Sequence, residues 1–311
     1  MVETSVPIET QFKLESNPVA FLPEAHQATY DAVEAHFKTP EFCVTSAETP
    51  SALTEEEKFW LTKECLLRYL RASKWNQATA IKRLESSLSW RRDYGLYSFL
   101  NAELVEPEAV TGKMITFGFD NDGRPAVYML PSRQNTTESE RQLQFCFWLM
   151  ERCIDIMPPG VETFTYLIDF SDKGTNPSLG TARKMLDILQ NHYPERLGRA
   201  LIINVPFLIN AFFKLIMPFV DSNTRVKIKF NPEVIEENIF SKEMVTHAWG
   251  GEVNFVWDHS KYWPNLILMA EAHRNANMER WRTLGACVGV SEWEIKGGDE
   301  TLTTKDDQPS A

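Results

Sequence analysis

The rhythm of apolar positions changes near residue 100. Between Ser51 and Gly95 apolar side chains recur every three or four residues, the spacing of amphipathic helices, through "SALTEEEKFW", "CLLRYLRASKWN" and "QATAIKRLESSLSWRRDYG". Ser51 or Thr54 can cap the first helix, and the acidic run Glu55 to Glu57 suits its N-terminus. After Leu100, strands alternate with helices. "MITFGFDNDGRPAVYMLP" holds two β-rich runs around a hairpin turn at Asp120 to Gly123, followed by the helix "RQLQFCFWLMERCIDIM" and the strand "FTYLIDF". The helix "SLGTARKMLDILQNHYP", the strand "ALIINV", an apolar helix and the strand "RVKIKF" complete the series. Strands joined by helices of ten or more residues predict an α/β domain with a mainly parallel sheet, to which the hairpin adds an antiparallel edge. "EMVTHAWGGEVNF" closes this domain, with Gly250 and Gly251 allowing tight backbone geometry, and "PNLILMAEAHRNANMERWRTLG" forms a last helix. Prolines at 18, 23, 40 and 50 predict a loose arm before residue 55, with one helix near Ala25 to Phe37. The polar residues from Lys296 predict a disordered tail. The expected division is 1–54 arm, 55–100 helical subdomain, 101–262 main domain, 263–295 C-terminal helix and 296–311 tail, without internal repeats.

One segment breaks the ordinary pattern. Leu201 to Val220, "LIINVPFLINAFFKLIMPFV", holds fifteen apolar side chains against Asn204, Asn210, Lys214 and two prolines. Pro206 and Pro218 interrupt helical hydrogen bonding and leave 11 residues between them, too few for a bilayer span. On the helix Phe207 to Met217 only Asn210 and Lys214 are polar, four apart on one stripe. Such a helix is either buried on every side in the core or has an apolar neighbour other than protein.

Composition narrows the function classes. The net charge of -11 over 311 residues argues against nucleic acid and against broad contact with anionic lipid, so any membrane contact must be local. Between Glu195 and Lys229, however, six basic residues face two acidic ones. An apolar helix flanked by cations suits brief contact with an anionic interface, whereas salt bridging on a surface strand explains the charges but not the helix. Five scattered cysteines without C-x-x-C spacing indicate neither a disulfide framework nor a zinc site, and fit a reduced compartment. The opening residues show no secretory or transit signal, so the sequon at Asn135 carries no weight.

The search for catalytic chemistry finds no nucleophile elbow, phosphate loop, zincin helix or dinucleotide-binding glycines. The histidines at 26, 36, 192, 247, 259 and 273 never reach ligand spacing, so no metal or cofactor is expected. Asp169 ends "YLIDF", where a carboxylate can serve chemistry or, more commonly, accept amides of the next loop.

From Glu55 to Val256 the chain resembles the CRAL-TRIO lipid-binding family, specifically the fungal phosphatidylinositol transfer proteins of the yeast secretory-pathway type. The residues carrying the likeness are "LLRYLRASKWN" with "WRRDYG", "DGRPAVY", "LIDFSDKG", "YPERLGRALIINVPF", "PFVDSNTRVKIKF" and "WGGEVNF". The resemblance implies a non-enzymatic protein of the CRAL-TRIO α/β fold, with a five-stranded, mainly parallel sheet flooring a deep apolar lipid cavity. A movable gate helix would close it, here carrying Phe207, Phe212, Phe213, Ile216 and Phe219. For the phosphatidylinositol headgroup it implies Glu195, Thr224 and Lys227, with Lys227 on the phosphate, Thr224 donating to it, and Glu195 accepting from inositol hydroxyls or orienting the lysine. A further family arginine is replaced by Ser73, with Lys74 beside it. Where phosphatidylcholine-exchanging members carry small hydroxyl residues, this chain has Phe164 and Tyr166. These either fill the choline space, making a flatter second cargo such as a sterol the expectation and bringing the chain near the azole-resistance branch, or are core β residues. The expected setting is cytoplasmic, with transient contact to endoplasmic reticulum, lipid droplet or plasma membrane. A monomer is the default and a dimer is conceivable when the gate is empty. The alternatives are a lipid-sensing scaffold that presents the inositide to a lipid kinase, and a hydrolase with an unrecognised site.

Overall fold

In the computed structural model, residues 2–45, 50–137, 140–171, 179–206, 211, 215, 217–220 and 222–299 are described. After the short strand β1 (Val2–Thr4), the helical part comprises α1 (Glu24–Lys38), α2 (Glu55–Trp60), α3 (Lys63–Ala72) and α4 (Gln77–Asp93). Thr54 accepts from the Glu57 amide while the Glu57 carboxylate accepts from the Thr54 amide, so α2 starts with a reciprocal cap. Thr62 and Asn76 cap α3 and α4 in the same sense.

The expected loose arm is in fact anchored. Tyr30, Val33 and Phe37, spaced three and four apart on one face of α1, share a core with Leu61, Leu66, Leu70, Leu84 and Leu88. The His26 ring stacks on Trp75 at 3.7 Å, Val44 bridges Ser51, and β1 runs parallel to β7 (Val253–Phe255). Prolines bound these segments without loosening them. Helix α5 (Ala102–Ala109), capped by Asn101 and holding Pro107 inside it, adds an element between the helical part and the sheet.

The main sheet has the order β2-β3-β4-β5-β6, from Met114–Phe119, Pro125–Met129, Phe164–Asp169, Leu197–Ile203 and Ile228–Phe230. The β2–β3 hairpin is antiparallel, and the other pairs are parallel. Helices α6 (Glu140–Asp155) and α7 (Leu179–His192) make the crossovers. Gly118 sits at the hairpin irregularity at φ +71, where a Cβ would lie 2.0 Å from the Met244 carbonyl oxygen. Strand β6 starts later than expected, because a turn of helix, α8 (Ser222–Arg225), takes Arg225.

The chain ends in α9 (His259–Thr283) and α10 (Glu292–Ile295). The tail expected to be disordered from Lys296 is fixed through Asp299. Lys296 Nζ donates to the carbonyls of Ile154 (3.2 Å) and Met157 (2.9 Å), and Trp293 Nε1 donates to Asp299 (2.7 Å). A lysine beside two carbonyls where α6 ends orders a polar segment in a way composition does not reveal. Residues 300–311 lie outside the described set. Among the described residues no helix is long and apolar enough to cross a membrane.

A buried ion pair joins the two parts. Arg91 of α4 donates to both carboxylate oxygens of Glu151 on α6 (3.0 and 2.9 Å), and the Tyr193 hydroxyl donates to the same group (2.8 Å). Burial acts to raise the Glu151 pKa, but the guanidinium overrides it and holds the carboxyl down at about 2, against an ordinary 4.5. A depressed folded-state pKa contributes stability that is present above the unfolded value and is lost as pH falls through the folded one. Urea unfolding between pH 6 and 2 should therefore show a stability loss beginning below about pH 4.5, and Glu151→Gln should flatten part of that fall.

Candidate functional site

The site forms where the C-terminus of α3 meets the turn Tyr193–Leu197 that leads into β5. Glu195 sits in this turn at φ +58, a conformation that costs a non-glycine residue of order 1 kcal/mol and points its carboxylate back toward α3. There Arg71 Nε donates to Glu195 Oε2 at 2.5 Å. Arg71 Nη2 also donates to both oxygens of Glu162, at 3.2 and 3.1 Å. Glu162 accepts in addition from Arg68 Nη1 at 2.7 Å, and Arg68 Nη2 donates to Glu292 on α10, also at 2.7 Å. Five side chains of alternating charge thus run from the C-terminal segment through α3 to the turn.

On the other side of the turn, Lys227 Nζ donates to the Leu197 carbonyl oxygen at 2.6 Å, and the Lys227 amide donates to the Thr224 carbonyl at 3.1 Å. The structure therefore brings Glu195, Lys227 and Thr224 to one turn. Glu195 does not itself orient Lys227, since its carboxylate is held by Arg71 and the ammonium by a backbone oxygen. Ser73 and Lys74 lie two and three residues beyond Arg71. Ser73 is buried with its hydroxyl unpartnered, and Lys74 is exposed at φ +51. Arg71 and Glu162 are the two residues the sequence reading missed. Arg71 stands inside a motif read as helix, and "VETF" carries no signal for Glu162.

Glu292 is held far below the usual carboxylate range: burial works against ionisation, and Arg68 and then Arg196 overcome it. Its neighbour Glu64 goes the other way, raised by burial and by the Glu292 charge. Ser291 Oγ and the Glu292 amide both donate to Glu64, which seats the C-terminal segment on α3.

Residues 109–251 match the CRAL/TRIO domain, and residues 29–86 match the CRAL/TRIO N-terminal domain. The chain belongs to the CRAL/TRIO family. It is 39% identical over 265 residues to phosphatidylinositol transfer protein PDR17 of Saccharomyces cerevisiae, covering 80% of this chain and 75% of that one. A CRAL-TRIO domain-containing protein of Schizosaccharomyces pombe is 42% identical over 288 residues, which are 89% of this chain but 28% of the relative's length. SEC14 cytosolic factor of Candida glabrata is 30% identical over 190 residues, 54% of this chain and 62% of that one. Among solved structures, that of Sfh5 superposes with a TM-score of 0.53 at 19% identity, covering 82% of this chain and all of that one, a likeness of fold. Within the CRAL/TRIO family the chain groups with the fungal phosphatidylinositol transfer proteins. The CRAL/TRIO N-terminal match begins at residue 29, within α1, in keeping with the anchoring of that helix in the helical core.

Of the expected CRAL/TRIO gate residues, Phe207, Phe212, Phe213 and Ile216 lie outside the described residues. Phe219 is 45% exposed, with the Arg183 guanidinium 4.5 Å from its ring centroid and its carbonyl accepting from Gln190 at 2.9 Å. Leu215, Val226 and Phe230 are likewise exposed apolar residues in this region. Phe164 and Tyr166, two apart and so on one face of β4, are buried and meet edge to face at 5.2 Å; the Tyr166 hydroxyl lies at the Cys146 thiol of α6. Cys146 also lines an apolar pocket of about 250 Å³ with Met114, Met129, Leu143, Phe145 and Met185. Asp169 accepts from the Ser171 amide and from Asn204 Nδ2, both at 2.8 Å, the loop-bracing use of a strand-end carboxylate.

Breaking a buried pair strands a charge at a cost of about 3–5 kcal/mol. Glu292→Ala should lower the unfolding free energy by that order in guanidinium titration, with Arg68 and Arg196 both losing a partner.

Proposed function

We propose that this protein binds one phosphatidylinositol molecule at a time and carries it between membranes. The observation that carries the reading is the turn at Glu195. A carboxylate suited to inositol hydroxyls and an ammonium suited to a phosphate lie on either side of three residues of backbone, at the edge of a CRAL/TRIO sheet. The names of the relatives, a phosphatidylinositol transfer protein and a SEC14 cytosolic factor, support the same reading.

No covalent chemistry is involved. Exposing a diacyl lipid with on the order of 30 methylenes costs roughly 20 kcal/mol or more at about 0.8 kcal/mol each, so unaided transfer is slow. An apolar hollow that substitutes for the bilayer removes most of that barrier, provided the lipid moves only while the opening faces a membrane. Segment 207–220 serves as the gate in this reading. The exposed Leu215, Phe219, Val226 and Phe230, beside the excess of basic residues between Glu195 and Lys229, favour contact with an anionic membrane surface. The second cargo is a sterol rather than phosphatidylcholine, since Phe164 and Tyr166 fill the sheet face where a choline headgroup would need room. The protein works as a monomer in the cytoplasm, visiting endoplasmic reticulum, lipid droplet or plasma membrane.

Lys227→Ala and Glu195→Ala should each lower transfer of radiolabelled phosphatidylinositol between vesicles at least tenfold without loss of cooperative unfolding. Transfer at the wild-type rate in both variants would overturn the headgroup assignment. Phe164→Ser combined with Tyr166→Thr should admit phosphatidylcholine, detected by native mass spectrometry of protein exposed to mixed vesicles; absence of choline lipid would sink the steric account.

A further inference from the structure

A polar cavity of about 470 Å³ lies between the helical part, α6 and α9. Its walls come from α2, from the loop 96–100 between α4 and α5, and from the facing sides of α6 and α9. That volume is about fifteen times a water molecule's share of the liquid and falls within the range of small-molecule sites. None of the residues assigned above to phosphatidylinositol lines it.

The carboxylates of the cavity floor are already paired. Asp155 accepts from Arg152 Nε at 2.8 Å and from Arg274 Nη1 at 3.4 Å. Glu56 accepts from Arg274 Nη2, and both oxygens of Glu151 accept from Arg91. Three guanidinium groups thus balance three carboxylates, and the spare capacity is in donors. Arg152 uses Nε alone; its Nη1 and Nη2, with four N–H groups, have no partner among the described residues. The group is held in place, with Asp155 on one edge and the Trp148 ring centroid 5.3 Å away, and its side chain is 19% exposed. The outer edge of this guanidinium is a planar two-donor fork of the geometry that meets a carboxylate, and its fixed orientation lowers the entropy cost of binding.

The rim supplies the opposite charge. Glu271 of α9, one turn before Arg274, lines the same cavity and has no ion-pair or hydrogen-bond partner among the described residues. A multiply charged anion is disfavoured, because the floor is already balanced and Glu271 adds a negative charge. Leu96, Leu100 and Trp148 give the cavity an apolar wall. We propose that this cavity is a second ligand site, for a small zwitterion that joins an ammonium to a carboxylate, the chemistry of a free amino acid. The carboxylate takes the Arg152 fork, the ammonium goes to Glu271, and an apolar side chain lies against Leu96, Leu100 and Trp148. The site stands independently of the phosphatidylinositol reading.

The melting temperature of the full chain is measured with each of the common L-amino acids, and the strongest stabiliser is taken to titration calorimetry with wild type, Arg152→Lys and Glu271→Gln. An apolar amino acid should raise the melting temperature and bind one per chain. N-acetylation of that amino acid, or conversion of its carboxyl to an amide, should each weaken binding roughly tenfold or more. Arg152→Lys keeps the charge beside Asp155 but not the fork and should also cost roughly tenfold, while Glu271→Gln should cost about fivefold. Glu271 has no partner to lose, so its variant carries the test should Arg152→Lys lose cooperative unfolding. An N-acetyl derivative that binds as tightly as the free amino acid would overturn the zwitterion, as would inorganic phosphate that stabilises wild type where no amino acid does. Absence of stabilisation by every amino acid, or wild-type affinity in the folded variants, would overturn the site.

Discussion

The alternating chain Glu292–Arg68–Glu162–Arg71–Glu195 is the constraint on which the arrangement depends. Charged groups withdrawn from water cost several kcal/mol each unless they are paired and hydrogen-bonded, so each member of the chain fixes the next. The chain joins three regions that no single apolar core unites: the C-terminal segment, helix α3 and the turn before β5. Arg68 is 3% exposed at its side chain and can satisfy its donors only if both Glu162 and Glu292 are present. Glu292 therefore bears on the turn at Glu195, although it lies about a hundred residues beyond it in sequence.

A second polar hub steadies the same end of the sheet, where β3, β4 and β5 begin. Asp120 in the hairpin turn accepts from the Asp122 and Arg124 amides, from Thr165 Oγ1 and from Arg199. Its carboxylate ties together β2, β4 and β5, and the register of the antiparallel edge follows from it. Further along the strands the sheet is apolar, with Leu167 and Leu201 wholly buried. The sheet is thus polar where β3, β4 and β5 begin and apolar along the middle of the strands.

The region around the turn at Glu195 couples outward as well. Arg83 of α4 donates to the carbonyls of Ala72 and Gln190, and the Gln190 side chain donates to the Phe219 carbonyl. Ser87 and Tyr69 meet His192 at the C-terminus of α7, where burial lowers the imidazole pKa to about 4 and keeps it neutral. The helical subdomain therefore grips α7, whose Gln190 in turn holds the Phe219 carbonyl.

Local pattern alone determined a large part of this molecule: the period-3.6 helices, the hairpin at Asp120 and the strand–helix alternation. These depend on side-chain periodicity and turn chemistry, which act over a few residues. Composition misled where a few distant groups overrule it. The arm before residue 55 is anchored by the face Tyr30, Val33 and Phe37, and Lys296 is ordered by two carbonyls at the end of α6. Arg71 and Glu162 are a different case, 91 residues apart and each unremarkable in its own segment. Only the folded chain decided that they meet, because the desolvation cost that pairs them arises when the end of α3 is brought up to the segment before β4, and no local pattern carries that cost.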